Sequence, residues 1–287
     1  MPIQERYYEA GQVTTTGKVE IAVDDRAFRY GDGLFETILV RGGQAIALEA
    51  HLDRMIEGMG ILGLDPDLVG LDNDSYRSMA IDIVGKMLKD QDSSGFGRLR
   101  LQVRRSPGGH FLPTQDAPLI SAHISPIAED PWALRPPLHL MIAHSYPINH
   151  SALSPVKTCN ALPYIMAARS AAAQGYDDAL LRTGKGEVAE ATSANIFVVV
   201  QNRIITPWLG SGCLPGTMRA RVIRTAQNLG LLMQVMPLHL PRLSEAKEIF
   251  ITSAIRGLQP VGSITETTYA AKHHPIMSQI RDQIIGS

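Results

Sequence analysis

Two residues of opposite charge stand in surroundings that do not suit a solvated surface. Lys157 is the one lysine of SPVKTCNALPY, a stretch poor in charge. Glu190 follows 33 residues later in GEVAEATSANIFVVV, between small residues and ahead of an apolar strand. A lysine in apolar surroundings gives up its proton more readily and can serve as nucleophile and base. A carboxylate brought to the same place can keep a heteroaromatic nitrogen protonated. Pyridoxal phosphate chemistry needs such a pair: the amine holds the aldehyde as a Schiff base, and the acid maintains the ring as an electron sink. Spacing alone leaves this as one idea among several. Most lysines are solvated, and most acids at strand ends are exposed.

A phosphate would need a cradle. LPGTMRARVIRTA runs from a loop into a helix, where backbone N–H groups and the helix dipole favour an anion. Gly216 lets the backbone come close, and Thr217 can add a hydroxyl. TSAIRG, from Thr252 to Gly257, offers a second contact of small residues. Arg54, on the helix HLDRM at the edge of its apolar stripe, is a candidate phosphate arginine; the blander reading is a solvated helix arginine. No metal is expected, because His51 and the His273–His274 pair lack partners at ligand spacing. GxSxG and Walker-type loops are absent, and the GDG at Gly31–Gly33 is no dinucleotide fingerprint.

The elements that must position these residues read as mixed α and β. A hairpin is expected from Arg6–Glu9 and Lys18–Ile21, around Gly11 and Gly17. Leu34–Val40 reads as a strand returning through Gln44–Leu48. Helices follow from Glu49, with Leu52, Met55, Ile56, Met59 and Leu62 in phase, and over about Asp74–Lys89. The strand RLRLQVRRS sets Arg98, Arg100 and Arg104 on one face against Leu99, Leu101 and Val103. Three prolines in Ala128–Pro137 mark a linker, so the expected division is 1–127, a linker at 128–137, and 138–287. The second part is read as the strand LHLMIAH, an alanine-rich helix, the strand DDALLRT, and a returning strand from Glu187 to Val200. A hairpin at Gln201–Asn202, the helix Arg219–Leu229, the strand MQVMPLHL, a short helix at Leu243–Ala246, an apolar strand broken at Ser253–Gly257 and a closing helix complete it.

Composition sets the outer bounds. The chain has 287 residues, 45% hydrophobic and 19% charged, enough for a sizeable core. A formal net charge of -1 argues against nucleic acid or a membrane surface as partner. The two cysteines, Cys159 and Cys213, suit a reducing compartment. No signal-like start is evident, and no apolar run reaches about 18 residues. The expectation is a cytoplasmic protein acting on small molecules.

Taken in order, YGDGLFET, HLDRM, VKTCNALPY, GEVAEATSANIF, LPGTMR and ITSAIRGLQPV resemble the class IV aminotransferases, the fold-type IV pyridoxal phosphate enzymes, over nearly the whole chain. The resemblance implies an α/β, two-domain fold: a small α/β N-terminal domain and a larger C-terminal domain with a barrel-like β core. It implies homodimers and a pyridoxal 5′-phosphate cofactor lying between the domains. By the same resemblance Lys157 is the Schiff-base lysine and proton carrier, Glu190 the partner of the pyridine nitrogen, and Arg54 the phosphate arginine. Thr217 and Met218, after Gly216, stand where the family more often has Ile-Thr at its phosphate turn. Ser253 and Ala254 correspond to the second phosphate contact. Leu214 is similar to the residue packed on the ring, and Tyr164 to a tyrosine near the cofactor's phenolic oxygen. Tyr30, Phe35, Thr37, Arg98, Arg100, Arg104 and the loop PGGHFLP with His110 would set specificity. Basic residues on that strand suit a substrate carrying a carboxylate. The implied activity is amino transfer between a D-amino acid or branched-chain amino acid and a 2-keto acid. Aminodeoxychorismate lyase, forming 4-aminobenzoate and pyruvate with the same lysine, is the alternative.

Overall fold

The computed structural model describes residues 3–15, 20–269 and 274–286. It divides into two compact units. One comprises Met1–Pro131 with Val156–Asn160, and the other Trp132–Pro155 with Ala161–Ser287. The five-residue segment carrying Lys157 thus packs with the first unit, although its neighbours in the chain on both sides belong to the second.

The first unit is built on an antiparallel sheet of six strands. These are β1 (Arg6–Glu9), β2 (Gln12–Thr14), β3 (Gly33–Arg41), β4 (Gln44–Ala45), β5 (Phe96–Arg105) and β6 (Pro118–Ile127), in the order β2-β1-β6-β5-β3-β4. The helices are α1 (Arg26–Tyr30), α2 (Leu48–Leu62) and α3 (Asn73–Leu88). Successive strand side chains point to opposite faces. Leu34, Ile38 and Val40 of β3 and Leu99, Leu101 and Val103 of β5 therefore share one face. There they pack with Leu52, Met55 and Met59 of α2 and Ile83 and Met87 of α3 in one buried core. Phe35, Thr37, Arg98, Arg100 and Gln102 fall on the opposite face. The register sets Thr37 directly across from Arg100 and Phe35 across from Gln102.

The N-terminal hairpin differs from the sequence expectation. β1 pairs with Gln12–Thr14, turning at Ala10 and Gly11, both at positive φ. Gly17, Lys18 and Val19 of the expected partner lie outside the described residues, and Glu20 and Ile21 are in no strand. The residues closing the tight turn are nearer in the chain than the apolar pattern suggested.

The second unit contains β7 (Leu138–Ala143), β8 (Asp178–Arg182), β9 (Glu187–Ala191), β10 (Asn195–Val200), β11 (Arg203–Pro207), β12 (Leu232–Met236), β13 (Leu238–His239), β14 (Glu248–Ser253), β15 (Gly257–Ile264) and β16 (Thr267–Thr268). Its helices are α4 (Leu162–Ala173), α5 (Thr217–Asn228), α6 (Leu240–Ser244) and α7 (Pro275–Ile285). The strands form one sheet in the order β12-β11-β10-β14-β15-β7-β8-β9-β13, with β16 on β15. Its two terminal strands, β12 and β13, are separated in the chain only by Pro237. That covalent link obliges the sheet to curl until its ends meet, giving the expected barrel-like core. Leu140, Leu180, Val188, Ile196, Val198, Ile249, Ile251 and Val261 fill it. The Phe197 and Phe250 rings stack at 5.1 Å.

The stretch from Glu187 to Val200 is not one strand. Glu187–Ala191 pairs with β8, the chain bends at Thr192–Ala194, and Asn195–Val200 moves across to pair with β14. Glu190 stands just before that bend. Gln201 and Asn202 turn β10 into β11 with φ of 48° and 62°, the left-handed pair a tight hairpin requires. At the C-terminus, Glu248 of β14 accepts hydrogen bonds from the backbone N–H of Ile276 and Met277, at 3.2 and 3.1 Å. It thereby caps α7, which begins at Pro275 and has no N-cap side chain of its own.

Candidate active site

In the first unit the segment Val156–Asn160 runs antiparallel to the start of β3. Thr158 lies opposite Leu34, the Phe35 N–H donates to the Lys157 carbonyl at 2.9 Å, and the Cys159 N–H donates to the Gly33 carbonyl at 2.8 Å. Gly31, at a φ of 70°, ends α1 against Asn160; a Cβ there would sit 3.2 Å from the Asn160 nitrogen. Alternation then assigns the faces. Val156 turns to the apolar core. Lys157 and Cys159 go to the face that carries Phe35 and Arg100. Lys157 Nζ lies 4.7 Å from the centre of the Phe35 ring, and the Arg100 guanidinium lies 3.6 Å from the same centre.

Arg100 is a half-buried cation that meets no carboxylate among the described residues. Its partners are the Gln102 side-chain oxygen, at 3.1 and 3.0 Å, the Phe35 ring and the Cys159 thiol. Burial lowers its affinity for a proton, and the thiol only partly offsets this. Burial likewise pushes the Cys159 thiol up, against the pull of Arg100.

The other arginines of β5 part company with it. Arg98 is exposed. Arg104 is held by Asp25 at 2.6 Å and by Glu9, and its expected place on a substrate-facing basic strand is corrected to a buried ion-pair network. Arg105 pairs with Asp32 at 3.0 Å and with Asp116. Asp32 also takes Arg26 at 2.8 Å, and Arg26 Nη1 donates to the carbonyls of Gly108 and His110 at 2.9 and 2.6 Å. The loop PGGHFLP is thus tied down through its backbone. The His110 residue is exposed. Tyr30, half-buried, meets Phe111 at 5.6 Å and the guanidinium groups of Arg26 and Arg29 at 5.2 Å.

Arg54 lies on the helix-covered side of the sheet. Its Nε and Nη2 donate to the two oxygens of Glu36 at 2.8 and 2.6 Å, and His51 Nδ1 is 2.6 Å from Glu36 Oε2. Glu36 and His51 are both 1% exposed. Burial by itself would push the Glu36 carboxyl up; hydrogen bonds from His51 and Arg54 outweigh it and hold the group below its ordinary value. Neither Glu36 nor His51 was marked by sequence as serving the arginine. The i, i+3 spacing of His51 and Arg54 on one helix was the available signal.

In the second unit Glu190 is 4% exposed and held from several sides. Tyr164 Oη donates to Oε1 at 3.0 Å, while the Asn195 amide and the Leu214 N–H donate to Oε2 at 3.2 and 3.1 Å. Asn195 also donates to the Leu214 carbonyl at 2.9 Å. The structure therefore joins Tyr164, Glu190 and Leu214 directly. Asn195, within the quoted motif but not singled out, is what links them to the helix. Next to it Gly216 is the N-cap of α5, Thr217 opens the helix, and Met218 is buried in its first turn. No N-cap side chain closes α5, and its positive end suits an anion. The opposite rim is the turn after β14. Thr252 pairs with Asn195, the Ser253 hydroxyl accepts from the Arg256 N–H at 3.1 Å, and the Ala254 carbonyl accepts from Trp132 Nε1 at 3.1 Å. Thr252 Oγ1 and Arg219 Nε are buried without a hydrogen-bond partner there.

Gly216 has no room for a side chain, since a Cβ would sit 2.1 Å from Asn195 Oδ1. Gly216→Ala should push Asn195 away from Glu190 and Leu214. A loss of about 1–3 kcal/mol in urea unfolding is expected; an unchanged unfolding free energy would contradict this packing.

Among the described residues no group of His, Cys, Asp or Glu could hold a metal ion, and no helix is long and apolar enough to cross a membrane. Taken by itself, the second unit offers groups chemically suited to parts of pyridoxal phosphate: a buried carboxylate gripped by donors, and a helix start beside a glycine that admits no Cβ; the first unit by itself offers an amine on Phe35.

Residues 33–264 match the family model for amino-transferase class IV. A D-alanine aminotransferase of Bacillus licheniformis is 26% identical over 90% of this chain and 88% of its own. An aminodeoxychorismate lyase of Vibrio harveyi is 26% identical over 86% of this chain and 89% of its own. Among solved structures, a branched-chain aminotransferase of Thermoproteus uzoniensis with norvaline superimposes with a TM-score of 0.84 at 22% identity, covering 99% of this chain and 93% of the other.

Proposed function

The chain belongs to the class IV aminotransferase family, and on that premise we propose that it is a pyridoxal phosphate-dependent transaminase of amino acids and 2-keto acids. The donor is an amino acid of the D- or branched-chain type. Lys157 supplies the amine that holds the cofactor aldehyde. Glu190 faces the pyridine nitrogen, the start of α5 at Gly216, Thr217 and Met218 receives the phosphate, and Ser253 and Ala254 add a second contact. Leu214 packs on the ring. Arg54, oriented by Glu36, adds charge for the phosphate. When bound, the cofactor withdraws electrons from the substrate's α-carbon. Lys157 Nζ, freed when the donor amine takes its place, would carry the proton from the substrate's α-carbon to the former aldehyde carbon of the cofactor.

The observation that carries the substrate class is Arg100. A half-buried guanidinium shares the Phe35 ring with Lys157 and meets no carboxylate among the described residues. A half-buried guanidinium without a carboxylate calls for an anion, and a substrate carboxylate meets that need with charge-assisted hydrogen bonds. Arg100→Ala is expected to lower kcat/KM for amino acid donors about 10- to 100-fold, the size of a lost hydrogen bond to a charged group. It should leave a carboxylate-free amine such as 1-phenylethylamine unaffected. Equal losses for both donors would remove Arg100 from carboxylate binding.

The second reading is an aminodeoxychorismate lyase. It is favoured by Thr37, which stands across from Arg100 and puts a hydroxyl-bearing residue on the same face of the sheet, a combination suited to a substrate with several oxygens. Half-reactions decide between them. Single amino acids of each hand are added to the cofactor-loaded protein, and the visible spectrum and the keto acid are followed. Conversion by D-alanine or D-glutamate, or by L-leucine, supports transamination. No conversion by any of them, with pyruvate released from aminodeoxychorismate, supports the lyase.

A further inference from the structure

The resemblance gave Tyr164 a place at the cofactor's phenolic oxygen. The geometry gives it a different task. Tyr164 is the third residue of α4, whose alanines, Ala167 and Ala171, let the helix pack closely on Met141, Ala143, Ala179 and Leu181. The tyrosine ring lies against that cluster, and its hydroxyl emerges on Glu190 Oε1 at 3.0 Å. Burial first, and then the charge and hydrogen bond of Glu190, push the phenol well above its ordinary value, so the hydroxyl stays a donor. Oε2 is taken by Asn195 and Leu214. Each oxygen is thus pinned from its own side, Oε1 by a side chain from α4 and Oε2 by β10 and the loop before α5. Three donors converge on one carboxyl group, and the ionised form accepts from all of them at once, with charge-assisted hydrogen bonds.

We propose that Tyr164 is a positioning residue acting through Glu190, fixing the carboxylate so that it meets the cofactor's ring nitrogen in one orientation and in ionised form. This rests on the assignment of Glu190 to that nitrogen. Asn195 and Leu214 would still hold one oxygen without Tyr164, but the carboxylate plane could rotate about it. The tyrosine hydroxyl removes that freedom.

A test that separates this role from a structural one compares two ligands on the apo-protein: pyridoxal 5′-phosphate and its 1-deaza analogue, which lacks the ring nitrogen. Dissociation constants are read from quenching of protein fluorescence, with no turnover involved. Tyr164→Phe keeps the ring against the α4 cluster and removes only the hydroxyl. It should weaken pyridoxal phosphate about 10-fold and leave the deaza analogue at the wild-type value. In a Glu190→Gln background the same substitution should have no further effect on either ligand, which covers the case of a general loosening of the fold. Equal weakening of both ligands, no weakening of either, or an undiminished effect in the Glu190→Gln background overturns the proposal. If the wild-type protein binds pyridoxal phosphate no better than the deaza analogue, the assignment of Glu190 itself fails, and the role of Tyr164 fails with it.

Discussion

Lys157→Ala is expected to lower amino-transfer activity by about 10³-fold or more, because the substitution removes both the covalent attachment and the proton carrier. The fold should survive it. Lys157 is fixed through its backbone, whose carbonyl accepts from the Phe35 N–H at 2.9 Å, and its neighbours Thr158 and Cys159 keep their own pairing to β3. The contact of Nζ with the Phe35 ring is lost, worth about 0.5–2 kcal/mol. The melting temperature should therefore stay within a few degrees of wild type, about the shift that such a loss produces, while turnover vanishes. Lys157→Arg should not rescue turnover, since a guanidinium stays protonated and does not condense with an aldehyde. Steady-state rates and thermal unfolding of both variants check this.

Glu190→Gln should cost about 10²–10³-fold in activity with little loss of stability. The glutamine is the same size as the acid and its oxygen can still accept from Asn195 and the Leu214 N–H, while Tyr164 can turn its hydroxyl to accept from the new amide. What disappears is a buried negative charge facing the position proposed for the ring nitrogen, a loss comparable to removing one preorganised electrostatic contact. Glu190→Ala is a different experiment. It leaves the Asn195, Leu214 and Tyr164 donors facing a void, at about 1–3 kcal/mol for each group left unsatisfied, so its inactivity would not separate chemistry from folding. The informative comparison is the glutamine variant, by urea unfolding and by kcat. A glutamine variant that turns over at the wild-type rate would remove Glu190 from the chemistry.

Much of the first unit could be read from alternation. In β3 and β5 every second residue is buried, nearly all of them apolar up to Arg105 at the end of β5, and the faces follow from counting. The exception on β3 is Glu36, a charge on the core face. Its partners, His51 and Arg54, come from the next helix, and no local pattern predicts that a buried acid will be met there. The arginines of β5 show the same limit. In the sequence Arg98, Arg100 and Arg104 are one basic row; in space one is exposed, one lies on an aromatic ring and one is locked to Asp25 and Glu9. What separates them is the tertiary position of acids 79 and 95 residues away in the chain.

The second unit hid its break for another reason. β9 and β10 are buried on both faces, so neither alternates, and the bend at Thr192–Ala194 contains neither glycine nor proline. The division was legible only from the pairing of β10 with β14. That bend matters for the site, because it returns Asn195 to within reach of Glu190. α1, five residues long, is too short for periodicity to announce, and its cap by Asp25 was the only local cue. The carboxylate and lysine themselves stood out in the sequence because each was a charge in apolar company, where an unpartnered charge is costly.

The covalent role of Lys157 is open to a direct chemical test. The purified protein is incubated with pyridoxal 5′-phosphate, reduced with borohydride and digested, and the modified peptide is identified by mass spectrometry. The expected result is one phosphopyridoxyl group, on Lys157, absent from the Lys157→Ala variant. A label on another lysine, or none at all, would contradict it.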